Sequence, residues 1–274
     1  MRRSHLLLPG TGGSGRITVR SVGLRMYAAA LRRGLARGPL PRHVALIMDG
    51  NRRWARMQGH ANPSVGHRYG AEHVEDVLQW CGDLGIDHVT VWVASADNLA
   101  KRSSDEVAFL MQVAEDVIAH RLARPSGSWR LHLAGDLDLL PASTAIALKE
   151  AREATLSRDV AGHLTVAIGY DGRTEILEAV RSILEESAAV GRSHGEAAAS
   201  VTEVAISAHL YNPSLPDPDL IIRTSGEQRL SDFMLWQGVG SELYFCDVYW
   251  PGFRHVDFLR ALRTFGARRR RATR

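Results

Sequence analysis

The chain has 274 residues, of which 45% are hydrophobic and 23% charged, as in an ordinary globular protein. This length suits one large α/β domain. No run of eighteen apolar residues occurs, which excludes a transmembrane helix by sequence. The two cysteines, Cys81 and Cys246, lack CxxC spacing, so we expect buried thiols in a reducing cytoplasm and neither a disulfide nor a zinc site.

The positive charge of the chain is concentrated at its two ends. The formal net charge is +4 and the isoelectric point is near 9.4. No acidic residue precedes Asp49, and residues 268–271 are all arginine. Basic ends can bind nucleic acid, anionic lipid or an acidic substrate, or they can be solvated and poorly ordered, which is the state we favour. We therefore expect a basic, partly disordered extension at 1–40 with a short helix at 24–35, and a basic tail at 267–274.

Between these ends, residues 41–266 alternate between two kinds of hydrophobic pattern. Short apolar runs bounded by polar turn residues predict strands, and apolar residues at helical spacing predict the helices between them. The predicted strands are residues 43–48, 88–93, 130–134, 164–168, 220–222 and 243–246. Alternation of this kind predicts a single α/β domain: an about six-stranded, largely parallel sheet with helices on both faces and an active site at the carboxyl ends of the strands.

The first predicted strand ends abruptly in polar residues that can bind a metal ion or an anion. Asp49 can hold a metal ion, Gly50 lets backbone N–H groups approach an anion, and Arg52 and Arg53 can bind phosphate oxygens. Taken alone, the same residues are equally typical of a strand end with an Asx-turn and two solvated arginines.

Three further predicted strands end in similar polar residues, at 95–98, 172–173 and 223–231. Because the carboxyl ends of parallel strands lie on one edge of a sheet, these groups should converge. Arginines, hydroxyls and glycines around one or two carboxylates describe a site for a polyanion and a divalent cation. Mg²⁺ is the hard cation that suits Asp49 and Glu242. The sequence contains no Walker A, GxGxxG or GxSxG motif.

The motifs at these strand ends resemble those of the cis-prenyltransferases, also called the undecaprenyl diphosphate synthase or isoprenyl transferase family, which includes Z-farnesyl diphosphate synthases. The resemblance runs from about residue 41 to 266, so it implies a catalytic domain of that extent. The matching motifs are HVALIMDGNRRWAR at 43–56, GH at 66–67, SADN at 95–98, DLIIRTSGEQRLSDF at 219–233, WQ at 236–237, SELYF at 241–245 and WP at 250–251.

The resemblance implies a homodimeric, Mg²⁺-dependent enzyme that condenses isopentenyl diphosphate with an allylic diphosphate (dimethylallyl, geranyl or farnesyl), forming a cis double bond. It implies that Asp49 is the essential acid that positions Mg²⁺, that Glu242 is the second metal ligand and that Asn98 is the proton acceptor. Arg223, Arg229 and Ser231 would bind the diphosphate of isopentenyl diphosphate. The other implied substrate-binding residues are Gly50, Asn51, Arg52, Arg53, Trp54, His67, Ser95, Ala96, Asp97, Leu99, Lys101, Arg102 and Leu230.

One segment, residues 94–102, departs from the family pattern. The usual Phe-Ser-(Ser/Thr)-Glu-Asn-Trp is Ala-Ser-Ala-Asp-Asn-Leu here, so two aromatic residues are missing and the carboxylate is one carbon shorter. The segment is one residue longer, which leaves either Lys101 or Arg102 for the expected substrate-binding arginine. These departures favour a shorter product as a hypothesis.

A carbocation also needs a dry, apolar tunnel, because water would quench it. Two helical stripes can line such a tunnel, although helix stripes of this kind more often form the core. The stripes are Val74, Val77, Leu78 and Cys81 on one helix, and Val107, Leu110, Met111 and Ala114 on another.

Two alternatives remain open from the sequence. A basic nucleic-acid-binding protein would explain the arginine-rich ends, but the carboxylates at the strand ends argue against nucleic acid as the partner. A non-catalytic partner subunit of the same family would have lost the metal-binding acid or the late arginines, whereas Asp49, Arg223, Arg229 and Glu242 are all present. The basic ends, or a long product, would also permit peripheral contact with a membrane.

Overall fold

The computed structural model describes residues 19–35, 38–124, 127–158 and 160–272. A π-helical segment, Glu115–Leu122, continues α5. The helices are α1 (Val19–Leu35), α2 (Asn51–Met57), α3 (Val65–Gly82), α4 (Ala96–Lys101), α5 (Ser104–Ala114), α6 (Ala142–Leu156), α7 (Gly172–Ala189), α8 (His194–Ser200), α9 (Glu203–Ala208) and α10 (His255–Ala272). The strands are β1 (His43–Ile47), β2 (His88–Ala94), β3 (Trp129–Ala134), β4 (Gly162–Ile168), β5 (Leu220–Arg223) and β6 (Glu242–Phe245).

The six strands form one sheet in the order β3-β4-β2-β1-β5-β6, and every neighbouring pair is parallel. The α/β fold predicted from the sequence is therefore confirmed, and each predicted strand is present within two residues of its expected bounds. Strand β1 lies at the centre with all five residues buried. Its carboxyl end therefore lies beside those of β2 and β5, and polar residues that follow these strands meet on one edge of the sheet.

Both faces of the sheet are covered, because alternate residues of each strand point to opposite sides. Val44 and Leu46 of β1 belong to the larger core, with apolar residues of α3, α5, α6 and α10. Ala45 and Ile47 belong to a smaller core on the other face, where Phe233 packs. Strands β1 and β5 are thus fully buried, as their continuous apolar runs predict.

Two internal segments differ from the sequence prediction. Residues 96–101, expected as a polar connection, form α4, because Ser95 caps the helix by accepting a hydrogen bond from the Asn98 amide. Residues 188–200, expected as an irregular excursion, contain the end of α7 and all of α8, which begins with a capping box at Ser193.

The basic ends also differ from expectation. The predicted tail from 267 is wrong as far as Ala272, because α10 continues through it. There Arg268 donates to the Leu243 carbonyl, and Arg269 to the Gly240 carbonyl. At the other end, the predicted helix begins earlier, at Val19, and packs on α10. The expected disorder of residues 1–18 lies outside the described residues.

Four histidines form a row across the amino ends of β1 to β4. The rings of His88 and His163 stack with centroids 4.7 Å apart, and His132 Nε2 lies 2.9 Å from His163 Nδ1. Burial lowers the pKa of His43 to about 4, and burial, helped by the adjacent His163, lowers the pKa of His132 to about 4. Burial also lowers the pKa of His163. The rings of His43, His132 and His163 are therefore neutral at pH 7.

The histidine row predicts acid sensitivity. In the unfolded chain the imidazoles of His43 and His132 take up protons near pH 6.5, but in the fold only near pH 4. Their stabilising contribution is therefore complete above pH 6.5 and lost as the pH falls toward 4. We expect His43→Gln to reduce the loss in unfolding free energy between pH 7.5 and 4.5 by about 2 kcal/mol. Urea unfolding at both pH values measures this loss, with the exposed His194→Gln as the control. An unchanged loss in His43→Gln would contradict the interpretation.

Candidate active site

The end of β1 is fixed by backbone contacts that place Asp49 at the sheet edge. The Asp49 carbonyl accepts hydrogen bonds from the Thr224 hydroxyl (2.8 Å) and from the Trp250 amide (2.9 Å). Gly50 then turns the chain into α2 with a φ of 97°. A Cβ at Gly50 would lie 2.7 Å from the Tyr249 ring, so only glycine fits both the conformation and the space.

The side chain of Asp49 forms an ion pair with Arg223 at the end of β5. Both Arg223 Nε (3.0 Å) and Nη2 (2.6 Å) donate to Asp49 Oδ2. The Arg223 side chain is only 5% exposed and also donates to Ser231 Oγ (2.8 Å) and to the Arg229 carbonyl. The buried guanidinium is thus surrounded by acceptors, whereas Asp49 keeps 38% of its side chain exposed to the cleft.

A first cleft of about 660 Å³, which we call the inner subsite, lies beside Asp49. Two buried nitrogens point into this region: within the described residues, neither His67 Nε2 nor Arg102 Nη1 has a hydrogen-bond partner. Unpaired buried donors of this kind are completed by an anion. The polar residues that line the inner subsite are Asp49, Gly50, Asn51, Arg52, Arg53, His67, Asn98 and Arg102.

A second, wider cleft of about 1430 Å³, which we call the outer subsite, opens on the other side of Asp49. It shares Asp49, Arg53 and Asn98 with the inner subsite. Its remaining polar lining consists of Ser95, Asp97, Asp171, Arg173, Arg223, Glu227, Arg229, Ser231 and Asp232. Two cation-bearing subsites therefore lie side by side with a single carboxylate, Asp49, between them.

An apolar chamber of about 550 Å³ continues from the inner subsite into the domain. Met48, Asn51, His67, Trp92 and Val93 line both spaces. A shift in strand register between Trp92 and Ala94 marks a bulge of β2, and both consecutive residues, Trp92 and Val93, line the cleft.

The walls of the chamber come from α3, α5 and the π-helical segment. Val74, Leu110 and Ala114 of the two predicted stripes line it, whereas Val77, Leu78, Cys81 and Met111 lie in the core and Val107 packs against the core. The π-helical segment adds Val117, Ile118 and Leu122. Such segments occur most often at functional sites.

Burial and the neighbouring charges together explain the protonation state of His67. Burial is the main cause that lowers its pKa, to about 4, and Arg102 and Arg52 lower it further, while Glu106 opposes them. The imidazole is therefore neutral at pH 7. On the outer side, burial and the neighbouring Asp232 raise the pKa of Asp171.

A sequence model of the undecaprenyl diphosphate synthase family matches residues 47–273. The chain belongs to this family, the cis-prenyltransferases. It is similar to the isoprenyl transferase of Streptomyces fradiae, with 60% identity over 90% of this chain and 95% of the relative. It is also similar to the (2Z,6E)-farnesyl diphosphate synthase of Thermobifida fusca, with 50% identity over the same shares.

A solved cis-prenyltransferase structure also resembles this fold. It is the lavandulyl diphosphate synthase from Lavandula x intermedia in complex with dimethylallyl diphosphate, which matches with a TM-score of 0.75 and 32% identity. The match covers 82% of this chain and 95% of that chain. The prediction of the family, and with it of an enzyme that transfers prenyl groups, is therefore confirmed.

Most residues that the sequence analysis assigned to this prenyltransferase site line its two subsites. The structure separates the two candidates for the substrate-binding cation, Lys101 and Arg102, at the end of α4. Arg102 lines the inner subsite, whereas Lys101 points outward and pairs with Asp97 at 2.7 Å with 73% of its side chain exposed. Four residues make one turn of a helix, so Asp97 and Lys101 lie on the same outer face.

Four other predicted substrate-binding side chains do not line either subsite. Trp54 follows Arg53 on α2 and so points elsewhere, with its ring tilted against that of Tyr69 at a centroid distance of 5.0 Å. Leu99 packs against the larger core and Leu230 against the smaller one. Ala96 contributes its backbone amide, which faces Asp171. Consecutive residues of a helix differ by about 100° in direction, so a contiguous motif cannot place every side chain in one cleft.

The prediction that Glu242 joins Asp49 in one metal site is wrong for a single chain. Glu242 is the first residue of β6 and pairs with Leu220, the first residue of β5. It therefore lies at the amino edge of the sheet, whereas Asp49 follows the carboxyl end of β1. Its carboxylate instead pairs with Arg268 at 3.2 Å.

Several residues at the site were missed, among them Trp92 and Glu106. Trp92 borders both subsites and the apolar chamber, but in the sequence it is one apolar residue within a predicted strand. Glu106 does not line a subsite but contacts three residues of the inner one. Its spacing of four residues from Arg102 is the signal that could have indicated an ion pair.

Asp49 fits the way in which proteins bind Mg²⁺ to phosphorylated substrates. Among the described residues, no cluster of three or more His, Cys, Asp or Glu could form an all-protein metal cage. Mg²⁺, however, is commonly held by one or two carboxylates, with substrate phosphates and water completing the shell. Asp49, a partly exposed carboxylate shared by two arginine-lined subsites, is suited to hold Mg²⁺ in this way.

Close packing of α3 against the β1 end predicts a specific glycine requirement. A Cβ at Gly66 would lie 2.1 Å from the Asn51 carbonyl oxygen, so Gly66→Ala must displace α2 and the arginines that it carries. We expect a loss of prenyl transfer of about tenfold or more and a destabilisation of about 1–3 kcal/mol. Gly82→Ala, at the end of the same helix with open space around it, should retain full activity and stability. Steady-state kinetics and thermal unfolding measure both. Equal behaviour of the two variants would contradict this packing argument.

Proposed function

We propose that this chain condenses isopentenyl diphosphate with a short allylic diphosphate, forming a cis double bond and releasing diphosphate. The observation that carries the proposal is the arrangement of two cation-lined subsites around Asp49, the inner of which continues into an apolar chamber. We assign the allylic diphosphate to the inner subsite, with its prenyl tail in the chamber. Isopentenyl diphosphate takes the outer subsite, where Arg223, Arg229 and Ser231 line the cleft.

The residues of the inner subsite favour cleavage of the allylic carbon–oxygen bond. As this bond breaks, its electron pair leaves with the diphosphate, and negative charge grows on the phosphate oxygens. Arg52, Arg53 and Arg102 present fixed positive charge there, and His67 presents a buried nitrogen. Groups aimed at developing charge in a water-poor cleft lower the barrier. Mg²⁺ held by Asp49 would add Lewis-acid stabilisation of the same oxygens.

Residues shared by both subsites are placed where the new bond forms. The allylic carbon joins the terminal methylene carbon (C4) of isopentenyl diphosphate, which leaves positive charge on C3, and a proton then leaves C2 to create the new double bond between C2 and C3. Asn98 borders both subsites, and its backbone is fixed by the Ser95 cap. We therefore assign Asn98 to the proton-acceptor position. The nonpolar walls of the chamber exclude water from the cationic intermediate.

We propose a short-chain product. The bulky side chains of Leu110, Ile118 and Leu122 line the apolar chamber and favour a short prenyl tail there. One relative, 50% identical, is named a (2Z,6E)-farnesyl diphosphate synthase, and another from Mycobacterium bovis, 47% identical, a short-chain Z-isoprenyl diphosphate synthase. Of the departures at 94–99, Ala94 lines the inner subsite, from which this chamber continues.

We further propose that the chain acts as a homodimer. Phe233 and Met234 are buried in the core, so the interface that we propose is the edge strand β6. Residues 243–245 on that edge are half-buried, and the adjacent Val239 is 88% exposed. A monomer in analytical ultracentrifugation at assay concentration would contradict this proposal. No helix within the described ranges is long and apolar enough to cross a membrane.

The reaction predicts a defined product from defined substrates. Incubation with labelled isopentenyl diphosphate and dimethylallyl, geranyl or farnesyl diphosphate should yield a short Z-prenyl diphosphate, identified by chromatography after dephosphorylation. Absence of product with every primer would contradict the proposed function. A ladder of long products would contradict only the short-chain proposal.

Asp49 provides the sharpest mutational test of the proposed site. Asp49→Ala should lower turnover by about a hundredfold or more, because it removes the carboxylate between the subsites. Asp138→Ala, which changes an exposed carboxylate on a distant turn, is the control and should retain activity. Circular dichroism should show both variants folded. Near-normal turnover of Asp49→Ala would exclude the metal-positioning role.

A further inference from the structure

We propose that Glu106 is a positioning residue that holds Arg52, His67 and Arg102 in place for the allylic diphosphate, an inference that rests on the proposed function. Glu106 lies in the first turn of α5, and its side chain is only 11% exposed. Its backbone amide is already bonded to Ser103 Oγ, which caps the helix. Capping therefore does not require the carboxylate, which instead points toward the inner subsite.

The Glu106 carboxylate connects three separate elements. Arg52 Nη1, on α2, lies 3.1 Å from Oε2 and 3.3 Å from Oε1. Arg102 Nε, just after α4, lies 3.5 Å from Oε1, and His67 Nε2, on α3, lies 3.6 Å from the same oxygen. One buried carboxylate thus links the three helical segments that supply the basic groups of the inner subsite.

These basic groups need a counter-charge in the empty enzyme. Arg52 and Arg102 each disfavour the positive charge of His67, and Arg52 disfavours that of Arg102, so the three repel one another when charged. Glu106 is the nearby group that opposes this repulsion for both His67 and Arg102. Without it, we expect Arg52, whose side chain is 45% exposed, to turn into solvent.

Glu106 does not neutralise the subsite. A guanidinium has five N–H donors, and Glu106 occupies few of them. Arg102 Nη1 and His67 Nε2 remain buried without a hydrogen-bond partner among the described residues. One carboxylate against two arginines also leaves a net positive charge. The arrangement therefore holds the donors in place while leaving them available to the negatively charged oxygens of an allylic diphosphate.

A competing physical effect predicts the opposite result. A carboxylate close to the bound substrate also repels the phosphate oxygens, so its removal could tighten anion binding. The two effects differ in sign, and substitution by the uncharged, isosteric glutamine distinguishes them. If Glu106 positions the cations, glutamine weakens binding. If it acts only as an opposing charge, glutamine strengthens binding.

The experiment measures each substrate separately. Binding of dimethylallyl diphosphate alone is followed by calorimetry, and KM is determined for both substrates. For Glu106→Gln we expect Kd and KM for dimethylallyl diphosphate to rise about tenfold or more, whereas KM for isopentenyl diphosphate in the outer subsite changes less than about twofold. Glu106→Asp keeps the charge and should recover part of the loss.

The matched control is Glu115→Gln on the adjoining π-helical segment. Glu115 accepts a hydrogen bond from Thr144 (2.6 Å) and does not line the inner subsite, so both substrate constants should stay unchanged. Unchanged or tighter binding of dimethylallyl diphosphate to Glu106→Gln would overturn the proposal. An equal loss for both substrates with a lower unfolding temperature would also overturn it, as a general structural defect. Failure of the wild-type chain to make any prenyl product is a separate outcome, because it concerns the proposed function.

Discussion

The ion pair between Asp49 and Arg223 organises the active-site edge of the sheet. It joins the residues that follow two adjacent parallel strands, β1 and β5, and it separates the inner from the outer subsite. Burying a guanidinium to this degree is unfavourable unless its donors are satisfied. Here Asp49, Ser231 and the Arg229 carbonyl satisfy them, which in turn fixes the loop that carries Arg229. Ser231, Asp232 and Met234 in this loop have positive φ angles, so its path is held by contacts and not by intrinsic preference.

The distribution of charge around this pair suits the two diphosphates proposed as substrates. Arginines line both subsites, and the buried carboxylate of Glu106 lies beside Arg52 and Arg102. The apolar chamber next to the inner subsite strengthens these electrostatic interactions, because low polarity on one side reduces screening. The same wall that shelters the prenyl chain from water therefore also increases the effect of the arginines on the leaving group.

The sequence predicted the elements of this site better than their orientation. The buried run of β1 followed by Asp49 and Gly50 indicated a strand end at the sheet edge, and the arginines after β5 indicated a second one. Both conclusions depend on parallel topology, which the alternation of strands and helices determines. Glu242 failed because a short strand places its first and last residues at opposite edges, and a motif match does not say which edge a residue occupies. The direction of the Trp54 side chain and the contacts of Glu106 depend on helix rotation and long-range packing, which a linear pattern does not encode.

Residues 94–102 show how a short sequence change alters a site without removing it. Ala94 is buried at the end of β2 and also lines the inner subsite, so its small side chain contributes to the shape of that cleft. Leu99 packs on the core, and the Ser95 cap fixes the start of α4, which together orient Asn98 toward the junction of the subsites. Arg102 ends the same segment and is held by Glu106. Residues 94–102 thus set part of the inner subsite wall, the junction residue Asn98 and the cation Arg102, and a change in their length or packing must alter all three together.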